Sequence, residues 1–309
     1  MHDLIIGAAS NYGWKELELW VNSIKKSGFH GDVMLVGTNM SKETIDKLTS
    51  NGILLELYGQ RGENGDITSP VSNAPHVERF FYLWNALETI KKQYRYVITT
   101  DTRDVIFQKN PSDWIEEHSA DLILSSEGML YKDEPWGKKN YEECFGSYFF
   151  KRIENRLINN VGVIAGGFDN VKSLMLMIYQ LSLQRPIAVV DQATFNFIIN
   201  DDNYAQLGKL FTNNHDGWAI QLGTTIEAVR SGAGDLGQLY RTDPNFKYEY
   251  QDMQPKIYGD GKVVNDVGTV FTIVHQYDRV PYLKEKMQKL YGDVDDTNDE
   301  SRIIFHHPI

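Results

Sequence analysis

Short apolar runs and amphipathic segments alternate along the first sixty residues of the chain. The apolar runs predict three buried strands, over 4–9, 32–36 and 53–58. In the segment 14–27, Leu17, Val21 and Ile24 recur at helical spacing, and Ser41 is a good N-cap for the helix that follows the second strand. Because strands and helices alternate, this half of the chain predicts a doubly wound parallel sheet.

The pattern is less regular in the remainder of the chain. A stretch rich in Gly, Asn, Ser and Pro over 59–75 predicts a long loop, and the aromatic segment 129–148 predicts another, which either packs on the core or lines an acceptor site. Helices are predicted over 77–92, 171–184, 191–200 and 281–291, and strands over 94–100, 120–125, 161–167 and 270–274. We expect one domain over 1–309, with a donor half over about 1–107, an acceptor half over about 108–292 and a tail over 293–309.

The composition of the chain limits the classes of molecule that it is expected to bind. The chain has 309 residues, of which 41% are hydrophobic and 24% charged, as in an ordinary globular protein. Its formal net charge of -11 argues against nucleic-acid binding, although a divalent cation can screen the phosphates of a nucleotide. No run approaches the ~20 apolar residues of a membrane span, and the lone Cys144 forms no intrachain disulfide. These features predict a cytoplasmic protein without a membrane span.

Two carboxylates follow the strand predicted over 94–100. Asp101 comes directly after it, and Asp104 lies three residues further on. In an open parallel sheet, ligands bind at the carboxyl ends of the strands. Two neighbouring carboxylates suit a hard divalent cation, which prefers oxygen ligands. Aspartate is also common in turns at strand ends, so the pair alone leaves the two interpretations open.

Three further segments follow in a characteristic order. They are Asn-Asn-Val-Gly-Val-Ile-Ala-Gly over 159–166, Val-Asp-Gln-Ala-Thr-Phe-Asn over 190–196 and Val-His-Gln-Tyr-Asp-Arg over 274–279. Together with the aspartate pair, they resemble the GT-A fold glycosyltransferases, including glycogenin-like, procollagen-type and algal-virus enzymes. The resemblance spans about residues 3–279 and depends on the order of short motifs. The chain departs from the commoner D-x-D motif, because Arg103 occupies the third position.

This resemblance implies a fold and an activity. The fold is α/β, a Rossmann-like, doubly wound and mostly parallel central sheet with flanking helices and a smaller acceptor-side sheet. The activity is a metal-dependent transfer of a sugar from a nucleotide-sugar, foremost a UDP-sugar, to an acceptor hydroxyl, in glycan or polysaccharide synthesis. The metal is Mn²⁺ or Mg²⁺, held by Asp104 and His275, and Asp101 either completes this set or binds the ribose. A metal ion that bridges the diphosphate stabilises the leaving group.

Other residues are assigned to the donor. Small residues at the exit of the first strand let the backbone approach a ligand, and Tyr12 can stack on a base. By the same resemblance, Arg79 contacts the donor, with Arg103 and Arg279 as weaker candidates, since a guanidinium suits phosphate. An ordinary turn and a surface arginine are the competing interpretations. The predicted donor-binding set is Ala8, Ala9, Ser10, Tyr12, Arg79, Asp101, Arg103 and Gly162.

Asp191 and Gln192 are predicted to face the transferred sugar or the acceptor. An inverting enzyme needs a carboxylate that takes the acceptor proton, and a double displacement needs a protein nucleophile. Asp191 suits either mechanism, Glu127 and Asp216 are rival carboxylates, and the stereochemical outcome stays open.

Two alternative functions remain. A sugar-nucleotide nucleotidyltransferase uses a similar sheet, but it usually carries a glycine-rich, basic signature near its N-terminus, whereas residues 7–13 contain no Lys or Arg. A non-catalytic carbohydrate- or nucleotide-binding protein is the other alternative. Thermal stabilisation by UDP with Mn²⁺ would distinguish an enzyme from a lectin-like module.

Overall fold

A computed structural model describes residues 2–70, 74–118, 120–204, 208–246, 248 and 254–293. The strands in these ranges are β1 (His2–Ser10), β2 (Asp32–Thr38), β3 (Leu54–Tyr58), β4 (Gln60–Arg61), β5 (Ile67–Thr68), β6 (Tyr94–Thr100), β7 (Val105–Phe107), β8 (Leu122–Leu130), β9 (Leu157–Gly167), β10 (Lys209–Thr212), β11 (Ala219–Gln221), β12 (Lys256–Ile257), β13 (Val263–Val264) and β14 (Ile273–His275). The α-helices are α1 (Trp14–Lys26), α2 (Lys42–Ser50), α3 (Pro75–Thr89), α4 (Pro111–His118), α5 (Pro135–Ile153), α6 (Phe168–Ser182), α7 (Asp191–Asn200), α8 (Ile226–Ser231), α9 (Gly234–Thr242) and α10 (Pro281–Tyr291).

A seven-stranded sheet forms the centre of the fold, in the order β10-β8-β9-β6-β1-β2-β3. Strand β9 is antiparallel to both of its neighbours, and the other pairings are parallel. Side chains alternate across β1, so that Ile5 packs with Trp20 on one face and Leu4 packs with Phe80 on the other. Both faces are therefore buried, which explains the continuous apolar run. The prediction of a doubly wound, mostly parallel sheet is confirmed.

A smaller sheet lies beside the first, in the order β11-β14-β7. Strand β14 pairs antiparallel with β7, which places His275 opposite Val105. The backbone N–H of Gln276 donates to the carbonyl of Asp104 at 2.8 Å. This sheet thereby brings His275 next to the aspartate pair, 171 positions after Asp104 in the numbering of the chain.

Both predicted loops are wrong in part. Within 59–75, β4 and β5 pair antiparallel, and Pro75 already belongs to α3. The aromatic segment 129–148 is largely helical, because β8 continues to Leu130 and α5 begins at Pro135. The Glu134 side chain caps α5 by accepting hydrogen bonds from the first backbone N–H groups, and a proline is favoured at the first helical position.

The aromatic residues of this segment differ in their burial. Tyr131 and Tyr141 are buried, and Phe145 packs against their cluster, which fits the core-packing interpretation. Trp136 is partly exposed at the start of α5, and Tyr148 is 74% exposed. Charged residues between the aromatics made the segment look like a loop, but they occupy the solvent-facing side of a helix.

The predicted helices lie within three residues of their observed bounds, whereas β14 covers only the end of the strand predicted over 270–274. Helices α7 and α10 have the predicted bounds, and Ser41 caps α2 by accepting a hydrogen bond from the backbone of Thr44. At the start of the predicted tail, Asp293 accepts a hydrogen bond from the Trp14 indole at 2.6 Å, and the rest of the tail lies outside the described residues. Among those described, no helix is both long and apolar enough to cross a membrane.

Glu134 makes the stability of the fold depend on pH. Burial, followed by the nearby Glu127, raises the pKa of Glu134 to about 7, although the two backbone N–H groups that bond its carboxylate lower it in part. A raised folded-state pKa contributes stability that is complete below the unfolded pKa of about 4.5 and is lost as pH rises through about 7. We expect the free energy of unfolding to fall over this interval by up to about 3 kcal/mol.

Chemical denaturation at several pH values between 4.5 and 7.5 tests this expectation. Glu134→Gln keeps an acceptor for the helix cap and removes the titration, so its unfolding free energy should change less with pH than that of the wild type. Glu143→Gln, on the exposed side of the same helix, is the matched control and should keep the wild-type slope. An unchanged slope in Glu134→Gln would contradict the assignment.

Candidate functional site

A cavity of about 600 Å³ opens where β1, β2 and β6 end. Ligand cavities of this size hold small molecules and cofactors. Every residue predicted for the donor, metal and catalytic sets lines it: Ala8, Ala9, Ser10, Tyr12, Arg79, Asp101, Arg103, Asp104, Gly162, Asp191, Gln192 and His275. The fold thus brings together residues from five elements and two loops, and their individual roles stay predictions.

Asp101, Asp104 and His275 form a cluster in which one ligand atom from each lies within 4.8 Å of the others. The His275 Nε2 atom lies 3.5 Å from Asp101 Oδ2 and 3.5 Å from Asp104 Oδ1. Two carboxylate oxygens and one imidazole nitrogen can hold a divalent cation. The spacing of three residues, in place of D-x-D, still brings both carboxylates to the same imidazole.

The orientation of the His275 ring supports its role as a ligand. Its Nδ1 atom lies 2.6 Å from Gln221 Oε1, and the amide nitrogen of Gln221 donates to Ser125 Oγ at 2.9 Å. Since Gln221 presents its oxygen, Nδ1 carries the proton, and Nε2 faces the two carboxylates. Outer hydrogen bonds of this kind fix the tautomer of metal-binding histidines. The residues therefore fit a divalent metal.

When no cation is bound, a proton on His275 offsets the negative charge of the two carboxylates. Burial lowers the pKa of His275, but Asp104 and Asp101 outweigh burial and raise that pKa to about 10. Burial likewise raises the pKa of Asp101, but Arg79 and His275 outweigh it and hold the pKa below its ordinary value. A cation bound to the three side chains would replace this proton.

Arg79 joins the two acidic parts of the cavity. Its guanidinium donates to Asp101 Oδ1 and, at 2.9 Å, to Asp191 Oδ2. Burial lowers the pKa of Arg79, but Asp101 and Asp191 outweigh burial, so the guanidinium stays charged. Two of its nitrogens are thus already paired with carboxylates. Arg103 lines the same cavity and is exposed, and its guanidinium makes no hydrogen bond or ion pair within the described ranges.

Gly162 lies against the cluster of Asp101, Asp104 and His275. A Cβ atom at this position would lie 2.5 Å from Cε1 of His275 and 2.9 Å from Asp101 Oδ2. The Gly162 backbone also accepts from the Asp101 backbone N–H at 2.8 Å and donates to Asn160 Oδ1 at 2.7 Å. Close approach of the cluster to β9 therefore requires a glycine.

A buried network holds the opposite wall of the cavity. Glu127 Oε1 accepts from the side-chain amides of Asn160 at 2.7 Å and Gln192 at 3.0 Å. Burial raises the pKa of Glu127, and these two amides lower it in part. Glu127 supports the wall without lining it. Asp216, the other rival carboxylate, accepts from the Asn213 backbone N–H and does not line the cavity either.

Several residues that line or support the cavity were not singled out from the sequence. Thr38 ends β2 beside Ser10, so the rule for strand ends could have identified it. Asn160 belongs to a recognised motif, but its role in the network depends on Glu127, 33 residues away. No local pattern indicates Gln221, which lies 54 residues from the histidine that it orients.

The sequence matches no protein-family model and has no significant match among curated proteins. Similar solved structures exist. One is an active-site mutant of LgtC, with 14% identity, a TM-score of 0.56 and coverage of 95% of this chain and 98% of that chain. Another is the galactosyltransferase LgtC in complex with donor and acceptor sugar analogues, with 12% identity, a TM-score of 0.54 and the same coverage. At these identities the similarity concerns the fold, and the chain has the GT-A fold.

Gly162→Ala should weaken divalent-metal binding. The added methyl group would displace His275 or Asp101, so we expect the Kd for Mn²⁺ to rise about tenfold or more, equivalent to about 1.4 kcal/mol. Isothermal titration calorimetry measures the Kd. Gly167→Ala, on the same strand, is the control, because its Cβ would meet only the Asn170 amide at 3.4 Å. Equal Mn²⁺ affinity in both variants would show that the cation does not bind at this cluster.

Proposed function

We propose that this chain is a metal-dependent glycosyltransferase that moves a sugar from a nucleotide-sugar, foremost a UDP-sugar, to an acceptor hydroxyl. One observation carries the proposal. The Asp101, Asp104 and His275 cluster shares a cavity with Asp191 and Gln192, and Arg79 bonds carboxylates from both groups. A metal site beside a polar wall is what transfer from a diphosphate requires.

Asp101, Asp104 and His275 are the proposed metal ligands. When bound, Mn²⁺ or Mg²⁺ would supply positive charge to the leaving diphosphate. The imidazole ligand favours Mn²⁺ over Mg²⁺, which prefers oxygen ligands. The LgtC structure with donor and acceptor sugar analogues supports the proposed sugar transfer by analogy, because it has the same fold.

The residues at the ends of β1 and β2 are proposed to bind the nucleoside. Ala8 and Ala9 leave room for a ligand, and Ser10 and Thr38 offer hydroxyl groups at adjacent strand ends. Burial raises the pKa of Tyr12, which keeps the phenol neutral and able to stack on a base. Arg103 extends the site towards the phosphates, since its guanidinium is not already paired with a carboxylate.

In the proposed reaction, the acceptor oxygen forms a bond to the anomeric carbon of the sugar. The bond from that carbon to the phosphate oxygen breaks, its electron pair leaves with the nucleoside diphosphate, and the acceptor proton passes to a base. Asp191 and Gln192 lie on the proposed transfer wall. Each Asp191 oxygen accepts one hydrogen bond, from Arg79 or from the Gln192 backbone, which fixes the carboxylate in position.

Gln192 is proposed to contact the transferred sugar. Its side-chain amide is held by Glu127, and the residue lines the cavity beside Asp191. The LgtC mutant replaces an active-site glutamine by glutamate, which shows that this residue type occurs in the active site of a protein with this fold. Trp136 and Val189 are partly exposed at the same cavity and offer apolar surface to an acceptor.

Release of nucleoside diphosphate from a panel of UDP- and GDP-sugars tests the proposal. With Mn²⁺, we expect slow release from one donor even without an acceptor. The release should disappear with EDTA, and Asp104→Ala should lower it by at least about 100-fold, because removal of charge stabilisation at a reacting group costs about 3 kcal/mol or more. Asp216→Ala, a carboxylate outside the cavity, is the control and should retain the wild-type rate.

The other outcomes identify the alternatives. UDP binding without release from any donor would indicate a non-catalytic nucleotide-binding protein. Pyrophosphate release from a nucleoside triphosphate and a sugar 1-phosphate would indicate a nucleotidyltransferase. Absence of both binding and release would contradict the donor-site assignment itself.

A further inference from the structure

A second cavity, of about 280 Å³, lies at the β10 edge of the central sheet. Its lining includes Ser126, Arg156, Asn159, Asn200, Phe211 and Asn213. None of these residues lines the larger cavity. The second cavity is therefore separate from the candidate active site.

Irregular strand pairing creates this space. The register of β8 and β9 shifts on both sides of the Ser126–Asn159 pair. Successive side chains of a strand point to opposite faces, so Asn159 lines the second cavity, whereas Asn160 lines the larger one. The two cavities are thus built on opposite faces of β9.

A buried acceptor in this cavity has no partner within the described part of the chain. Asn159 is 3% exposed, and its Oδ1 atom makes no hydrogen bond there. Its amide nitrogen donates to the Leu157 carbonyl at 3.2 Å. The side-chain oxygen is therefore the atom that has no partner. A buried unpaired carbonyl costs about 1–3 kcal/mol. Such an atom indicates that a ligand or a water molecule donates to it.

The remaining lining combines polar groups with one aromatic ring. Arg156 donates to Asn200 Oδ1 at 2.9 Å, which holds the guanidinium beside the cavity. Phe211, on β10, is 44% exposed. Among the described residues, no carboxylate lines the cavity, although the whole chain carries a net charge of -11.

We propose that this cavity binds one sugar residue of a glycan. A sugar ring offers hydroxyl groups that donate to Asn159 Oδ1 and accept from amides and a guanidinium, and its C–H face packs on an aromatic ring such as Phe211. The volume, near the lower end of the range for ligand pockets, suits a single ring and not a nucleotide. This site does not require the transferase activity proposed above.

Titration with single sugars, followed by side-chain amide and backbone NMR shifts, tests the site. The probes are galactose, glucose, N-acetylglucosamine and glucuronate at millimolar concentration. We expect at least one of them to shift the Asn159 and Asn200 side-chain amides and the Phe211 backbone amide. Phe211→Ala and Asn159→Leu should each weaken this binding about tenfold.

Two controls separate this site from other causes. Tyr240→Ala removes an aromatic ring that is also 44% exposed, on α9, and should leave the binding unchanged. Asp104→Ala disables the proposed metal site and should also leave sugar binding at the second cavity unchanged. The sugar site can therefore be confirmed even if the proposed function fails. Sugar shifts that persist in Phe211→Ala, or no shifts with any probe, would overturn the proposal and leave water as the partner of Asn159.

Discussion

The ion pairs of Arg79 are the interaction on which the candidate site depends. Three aspartates, Asp101, Asp104 and Asp191, line one cavity, and like charges that are removed from water repel one another strongly. Arg79 places a single positive charge between Asp101 and Asp191, and His275 does the same between Asp101 and Asp104. Without these cations, the repulsion among the three carboxylates would not be balanced. The geometry of the proposed metal site and that of the proposed transfer wall are thus linked through Arg79.

Strand β9 imposes the second constraint. It is antiparallel to its neighbours, so it passes the carboxyl end of β6 along its length and contributes residues from its middle to the cavity. Gly162 lies where the cluster approaches the strand most closely, and Asn160 connects the strand to Glu127. A parallel strand would contribute only its end. The reversed direction of β9 therefore supplies part of the site.

The sequence was sufficient to predict the doubly wound sheet and the aspartate pair at its edge, because both follow local rules. Buried parallel strands appear as apolar runs, and their carboxyl ends mark the ligand site. Arg79 and His275 were assigned through the resemblance to GT-A fold glycosyltransferases, and Thr38 was not predicted. Helix α5 could not be predicted in this way, because its aromatic and charged residues lack a clear helical period in the sequence. The contacts of Glu127 with Gln192 and of Gln221 with His275 could not be predicted either, because only the tertiary fold brings these residues together.

The same strands that support the candidate active site also support the second cavity. On β8, Ser125 faces the Gln221 amide that orients His275, whereas Ser126 faces the second cavity. On β9, Asn160 lines the larger cavity and Asn159 lines the second one. Because successive side chains point to opposite faces, each strand can contribute polar residues at adjacent positions to two separate cavities. Substitutions one residue apart should consequently affect different sites, which makes the two proposed functions separable by mutation.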